Sequence, residues 1–115
     1  MKPLNKDKSI IEHILRYCDK IQLTAGRFGG DFETFLNDSD YRDSVSMNLL
    51  QIGELAGKLS DDYIRQTRAR IDWRAIKNMR NMFAHDYGSM DIERIWETVT
   101  EDIPVLSDYC KQVLS

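Results

Sequence analysis

The sequence predicts an all-α fold, an up-and-down bundle of four main helices plus short accessory helices, and three observations predict it. Apolar residues recur at helical spacing along most of the chain. No stretch alternates apolar and polar residues as a half-buried strand does, and no hairpin turn separates two such stretches. Capping aspartates and turn-forming glycines fall between the periodic segments, where a bundle puts its loops. The 115 residues suit one helical domain, residues 1–115, with a single core and no room for separate cofactor and substrate lobes.

Taken in order, Ile10, Ile14, Tyr17, Cys18 and Ile21 form one stripe of a first helix over residues 6–25, which stops before the turn material Gly26-Arg27-Phe28-Gly29-Gly30. Asp31 caps a short helix carrying Phe32, Phe35 and Leu36. A longer helix starts near Ser39 or Asp40, and its stripe Val45, Leu49, Ile52, Ala56 and Leu59 keeps close to a heptad spacing suited to packing in a bundle. Asp61-Asp62-Tyr63-Ile64 makes one or two turns. Asp72 then caps a helix bearing Trp73, Ile76, Arg80 and Phe83, which Gly88 ends. Ser89 or Asp91 caps the last helix, with Ile92, Ile95, Trp96, Val99, Ile103, Leu106, Tyr109, Cys110 and Val113 on its apolar positions. Pro104 kinks that helix or starts a new turn.

Composition narrows the function. With 42% hydrophobic and 30% charged residues the chain reads as a soluble globular protein, and no apolar run approaches the roughly 20 residues that span a bilayer. Met1-Lys2-Pro3-Leu4-Asn5-Lys6 lacks the apolar core of a signal peptide, so a cytoplasmic location is expected, with Cys18 and Cys110 reduced and buried. Two cysteines and two histidines, His13 and His85, do not make a zinc set. Asp38, Asp40 and Asp43 lack a calcium-loop pattern and read as helix-start charge. Gly26, Gly29 and Gly30 follow no strand and are turn formers. His13 stands alone beside Glu12 and is expected to face solvent. A net charge of -3 argues against general nucleic-acid affinity. Yet Arg65, Arg68, Arg70, Arg74, Lys77 and Arg80 stand against the single acid Asp72, a basic segment that would attract phosphate or simply be a solvated helix face.

That segment leads into Arg80-Asn81-Met82-Phe83-Ala84-His85-Asp86-Tyr87-Gly88. Arginine is a permanent cation that forks onto phosphate, and histidine exchanges a proton near neutral pH, so together they suit phosphodiester chemistry without a metal or cofactor. On a regular helix, five steps of about 100° put His85 roughly 140° around from Arg80, while Tyr87 nearly eclipses Arg80. Either the helix loosens before Gly88, or the working site combines residues of two chains.

The spacing resembles the Arg-(x)4-His-x-Tyr motif of HepT-like toxins of the HEPN superfamily. Ile52-Gly53-Glu54 also resembles a segment common in that family, and the likeness in length and helix order spans essentially the whole chain. The resemblance implies a HEPN-like fold and a homodimer whose composite cleft is lined by the arginine and histidine of both protomers. It implies a metal-independent endoribonuclease, the toxin of a type II/VII-like toxin–antitoxin pair, cutting RNA such as tRNA or mRNA. Arg80 and His85 are then catalytic, His85 as acid or base and Arg80 stabilising the phosphorane. Asn81 and Asp86 would orient the histidine or hold the substrate, and Glu54 would sit near the cleft or in a buried polar contact. The family's partner is an MNT-type nucleotidyltransferase antitoxin that attaches AMP to the motif tyrosine, here Tyr87, a few ångströms from Arg80 and His85 on this reading. The alternative is a non-catalytic helical subunit that docks on such a transferase and helps bind its nucleotide.

Overall fold

In the computed structural model, residues 5–115 are described, and the leader reading of the first residues lies mostly outside them. The elements are α1 (Asn5–Phe28), α2 (Phe32–Asn37), α3 (Ser39–Ala56), α4 (Asp61–Thr67), α5 (Trp73–Asp86), a 3₁₀ turn (Tyr87–Ser89), α6 (Ile92–Glu97), a π turn (Thr98–Asp102) and α7 (Ile103–Leu114). No strand occurs among the described residues. The fold is all-α.

Local chemistry starts the helices where the sequence marks them. The side chains of Asp31, Asp38, Ser60, Asp72 and Asp91 each accept a first-turn backbone N–H, of Thr34, of Asp40 and Tyr41, of Tyr63, of Ala75 and of Glu93. α1 runs about one turn past its expected end, because Phe28 stacks on Tyr41 with ring centroids 5.1 Å apart and this packing outweighs the poor helix propensity of Gly26. Gly29 stops it at φ 127°, a backbone conformation that side chains rarely adopt.

Pro104 opens α7 behind a looser turn. The backbone stays helical from Glu97 through Ile103, so α6, the π turn and α7 form one rod. Just ahead of the proline, the Ile103 N–H reaches five residues back to the Thr98 carbonyl. The looser turn absorbs the ring and the missing donor without breaking the rod.

With that rod counted as one, the four main helices are α1, α3, α5 and α6–α7. The α1 face Ile10, Ile11, Ile14, Cys18 and Ile21 meets Tyr41, Val45, Leu49, Ile52 and Ala56 of α3, with Ile95, Val99, Ile103, Leu106 and Cys110 of the rod completing the core. Ile11, fully buried, belongs to this face although the expected stripe omitted it. Tyr17 is only half-buried, and Leu36, 42% exposed, points outward because the six-residue α2 seats only Phe35 fully. Both cysteines are free and buried.

Two polar contacts tie the bundle ends. Asp7, 1% exposed, accepts from the backbone N–H (2.8 Å) and hydroxyl (2.7 Å) of Ser60, joining α1 to the cap of α4. Tyr63 and Tyr109 share a 2.5 Å hydroxyl contact, beside Trp73, whose indole N–H donates to Thr67. Among the described residues, no helix is long and apolar enough to cross a membrane.

Candidate active site

The motif runs through the second half of α5 into the 3₁₀ turn, and α5 is set against α3 by one glycine. A Cβ built on Gly53 would lie 2.3 Å from Arg80 Cβ, 3.1 Å from Arg80 Cα and 3.1 Å from the Ile76 carbonyl oxygen. Only the absence of a side chain lets the two backbones approach this closely. The next residue, Glu54, then meets Arg80: its carboxylate pairs with Arg80 Nε. Arg80 Nη1 donates to Asn81 Oδ1 at 3.2 Å, leaving Nη2 without a protein acceptor among the described residues. Both side chains of the Arg80–Glu54 pair stay over a third exposed, so the pair orients the guanidinium more than it stabilises the fold.

His85 is exposed and hydrogen-bonds no described residue. α5 stays helical through His85, and the backbone leaves helical geometry only at Asp86 (φ -131°, ψ 19°), ahead of the 3₁₀ turn, so the helix does not loosen early enough to swing His85 toward Arg80. Within one chain the two stay roughly 140° apart around α5. Asn81, expected to orient His85 or hold substrate, accepts from Arg80 and makes no hydrogen bond with His85 among the described residues. Asp86 is exposed, and its carbonyl accepts from Ser89; no described residue bonds its carboxylate.

Tyr87 faces α3 from the 3₁₀ turn, beyond the break in helical geometry at Asp86. Its hydroxyl donates to Asp43 Oδ1 at 2.5 Å, and its ring stands 6.1 Å from that of Phe83. Burial, followed by the hydrogen bond to Asp43, raises the Tyr87 pKa above the ordinary phenol value. The partners of Arg80 and Tyr87, Glu54 and Asp43, share a face of α3 but stand eleven residues apart, about 16 Å along its axis. Seven residues of α5 likewise carry the chain about 10 Å from Arg80 to Tyr87. The expectation that a group on Tyr87 sits a few ångströms from Arg80 is therefore corrected, because the two side chains are drawn to different levels of α3; His85, two residues before Tyr87, is its nearer neighbour in sequence.

Asp43 is the site residue that sequence reasoning missed. It was grouped with Asp38 and Asp40 as helix-start charge, yet only Asp38 caps α3. The basic segment also divides: Arg65 pairs with Asp62, Arg70 packs over the Tyr109 ring and bonds Gln112, and Arg80 turns to Glu54. These three arginines therefore turn to different elements.

Comparison with known proteins bears directly on this geometry. A model of the family described as Ribonuclease HepT-like matches residues 10–113, which includes all of α3, α5 and the motif. The chain belongs to that family. A relative from Caldanaerobacter subterraneus subsp. tengcongensis, an RNase by name, is 31% identical over 104 residues, 90% of each chain. A Thermococcus cleftensis relative, a ribonuclease HepT by name, is 36% identical over 75 residues, 65% of this chain and 67% of its own. A Methanocaldococcus jannaschii relative, also an RNase by name, is 28% identical over 113 residues, 97% of this chain and 94% of its own. No solved structure matches the chain.

Proposed function

We propose that this HepT-like chain is a metal-independent endoribonuclease acting as a homodimer, with Arg80 and His85 of both copies lining one cleft. The observation that carries the reading is the divided motif: Arg80 is oriented by Glu54 with Nη2 open, while His85 is exposed and unbonded around the helix. The family and the names of its relatives support RNA as substrate.

In the reaction, His85 removes the proton of a 2′-hydroxyl, and that oxygen attacks the adjacent phosphorus. The P–O5′ bond breaks and the leaving oxygen takes a proton from the histidine of the second copy, giving a 2′,3′-cyclic phosphate and a 5′-hydroxyl. Arg80 Nη2 meets the charge gathering on the phosphorane oxygens. A pairing face beside α5 is supported by an apolar groove of about 590 Å³ between α5 and the rod. Met82 (46% exposed) and Val105 (60% exposed) line it.

A partner nucleotidyltransferase silences the enzyme: the Tyr87 oxygen attacks the α-phosphorus of ATP, which attaches AMP to the tyrosine and releases pyrophosphate. Asp43, which accepts the Tyr87 hydrogen bond, is placed to take the phenol proton in that step. The added anion then crowds His85, two residues away, and repels the RNA backbone.

Replacing the ribose at a mapped cut by 2′-deoxyribose tests the chemistry. Cleavage there is abolished while neighbouring cuts persist, and Arg80→Ala lowers kcat by about 10²–10³-fold. Cutting at the deoxy position would overturn the mechanism.

A further inference from the structure

Beside Arg80 lies a depression of about 260 Å³ lined by Gly53, Glu54, Gly57, Lys58, Lys77 and Asn81. We propose that Lys58 and Lys77 form a second phosphate subsite there, holding the phosphate next to the scissile one in a single RNA strand. The inference rests on the ribonuclease reading above and extends it to how the strand is seated.

Charge is the first support. The depression's one acid, Glu54, is already paired with Arg80 Nε. Lys58 and Lys77 are both exposed, and neither forms an ion pair with a described acid. Two uncompensated cations therefore open into the same recess as the guanidinium.

Spacing is the second. Lys77 precedes Arg80 by three residues on α5, which puts their Cβ atoms about 5–6 Å apart on neighbouring faces. That step is comparable with the separation of successive phosphates in a single strand, so one strand crossing α5 presents one phosphate to Arg80 and the next to Lys77. Lys58, just past the end of α3, approaches from the opposite wall.

The third is the shape of the floor. A Cβ built on Gly57 would lie 4.0 Å from Lys77 Cε and 3.4 Å from the Glu54 carbonyl oxygen. A larger side chain would fill the recess and shoulder Lys77 aside. α3 ends here, and the partial negative charge of its last carbonyls also draws the two lysines toward the recess.

Salt dependence separates these roles. The probe is a 2′-O-methyl RNA oligonucleotide, which the 2′-hydroxyl mechanism cannot cut, and its Kd is measured from 50 to 200 mM KCl. One phosphate contact contributes about -0.7 to the slope of log affinity against log salt for single strands. The double variant Lys58→Gln/Lys77→Gln is expected to lose that much slope, so over this fourfold range its affinity falls roughly 2.6-fold less than that of wild type. The charge-matched control Lys8→Gln/Lys111→Gln keeps the wild-type slope, as does Lys58→Arg/Lys77→Arg. In cleavage, the Gln pair raises KM with kcat little changed.

A wild-type slope in the Gln pair would overturn the subsite and leave the ribonuclease reading standing, whatever its melting temperature. An equal loss of slope in the control pair would also overturn it, as general charge. Failure of wild type to bind the oligonucleotide at all would overturn the subsite and the RNA reading together.

Discussion

At the scale of single residues, Tyr87 and Arg80 behave as a pair bound to one helix by opposite chemistry. Asp43 of α3 accepts the phenol hydrogen bond of one, and Glu54 of α3 pairs with the guanidinium of the other. The Asp43 contact makes a direct prediction. Asp43→Asn removes the carboxylate that disfavours the phenolate, so the Tyr87 pKa falls toward the ordinary value of about 10, burial alone holding it above. NMR titration of the tyrosine ring carbons measures this, and an unshifted Tyr87 would contradict the contact. The motif residues were legible in the sequence because their spacing is local and carried by a family likeness. Asp43 was not, because it lies 44 residues from Tyr87 and looks identical in kind to the capping aspartate five residues before it. The contact of Asn81 with Arg80 was not legible for a related reason: adjacency in sequence does not say which neighbour a side chain turns to.

At the scale of elements, the α3–α5 contact depends on Gly53 and helix interiors elsewhere do not depend on their glycines. Gly53→Ala inserts a methyl where Arg80 Cβ already stands. It is expected to cost about 1–3 kcal/mol by forcing the helices apart, and to reduce cleavage by moving the guanidinium. Gly26→Ala, in α1 with nothing within 4 Å of the added carbon, is expected instead to stabilise by about 0.4–1 kcal/mol. Thermal unfolding of the two variants checks both signs; equal effects would refute the close-approach argument. Helix order and most caps followed from periodicity and aspartate placement. The extra turn of α1 did not, because a tertiary stack between Phe28 and Tyr41 supplies it. Nor did the burial of Asp7 under Ser60, a pairing across 53 residues with no local signature.

At the scale of the whole molecule, the core encloses both thiols, and burial pushes Cys18 and Cys110 up to about 12. The unfolded chain therefore loses these thiol protons near pH 8.5–9 while the folded one keeps them, so stability falls as pH rises from about 9 to 12. Cys18→Ala/Cys110→Ala is expected to lose less stability over that interval in thermal melts at stepped pH, and a parallel decline in both proteins would contradict the burial argument. The bundle itself was legible because amphipathic helices of this length have few ways to bury their stripes. The proposed pairing of two copies rests on the separation of Arg80 from His85 around α5 and on the family resemblance, both of them readable from the sequence. The most direct measurement is cleavage of a labelled tRNA pool in excess EDTA by wild type and His85→Ala at matched dimer concentration. The account predicts cutting by wild type and a loss of about 10²–10⁴-fold in the variant; equal cutting by both proteins, or none by wild type across tRNA and mRNA substrates, would contradict it.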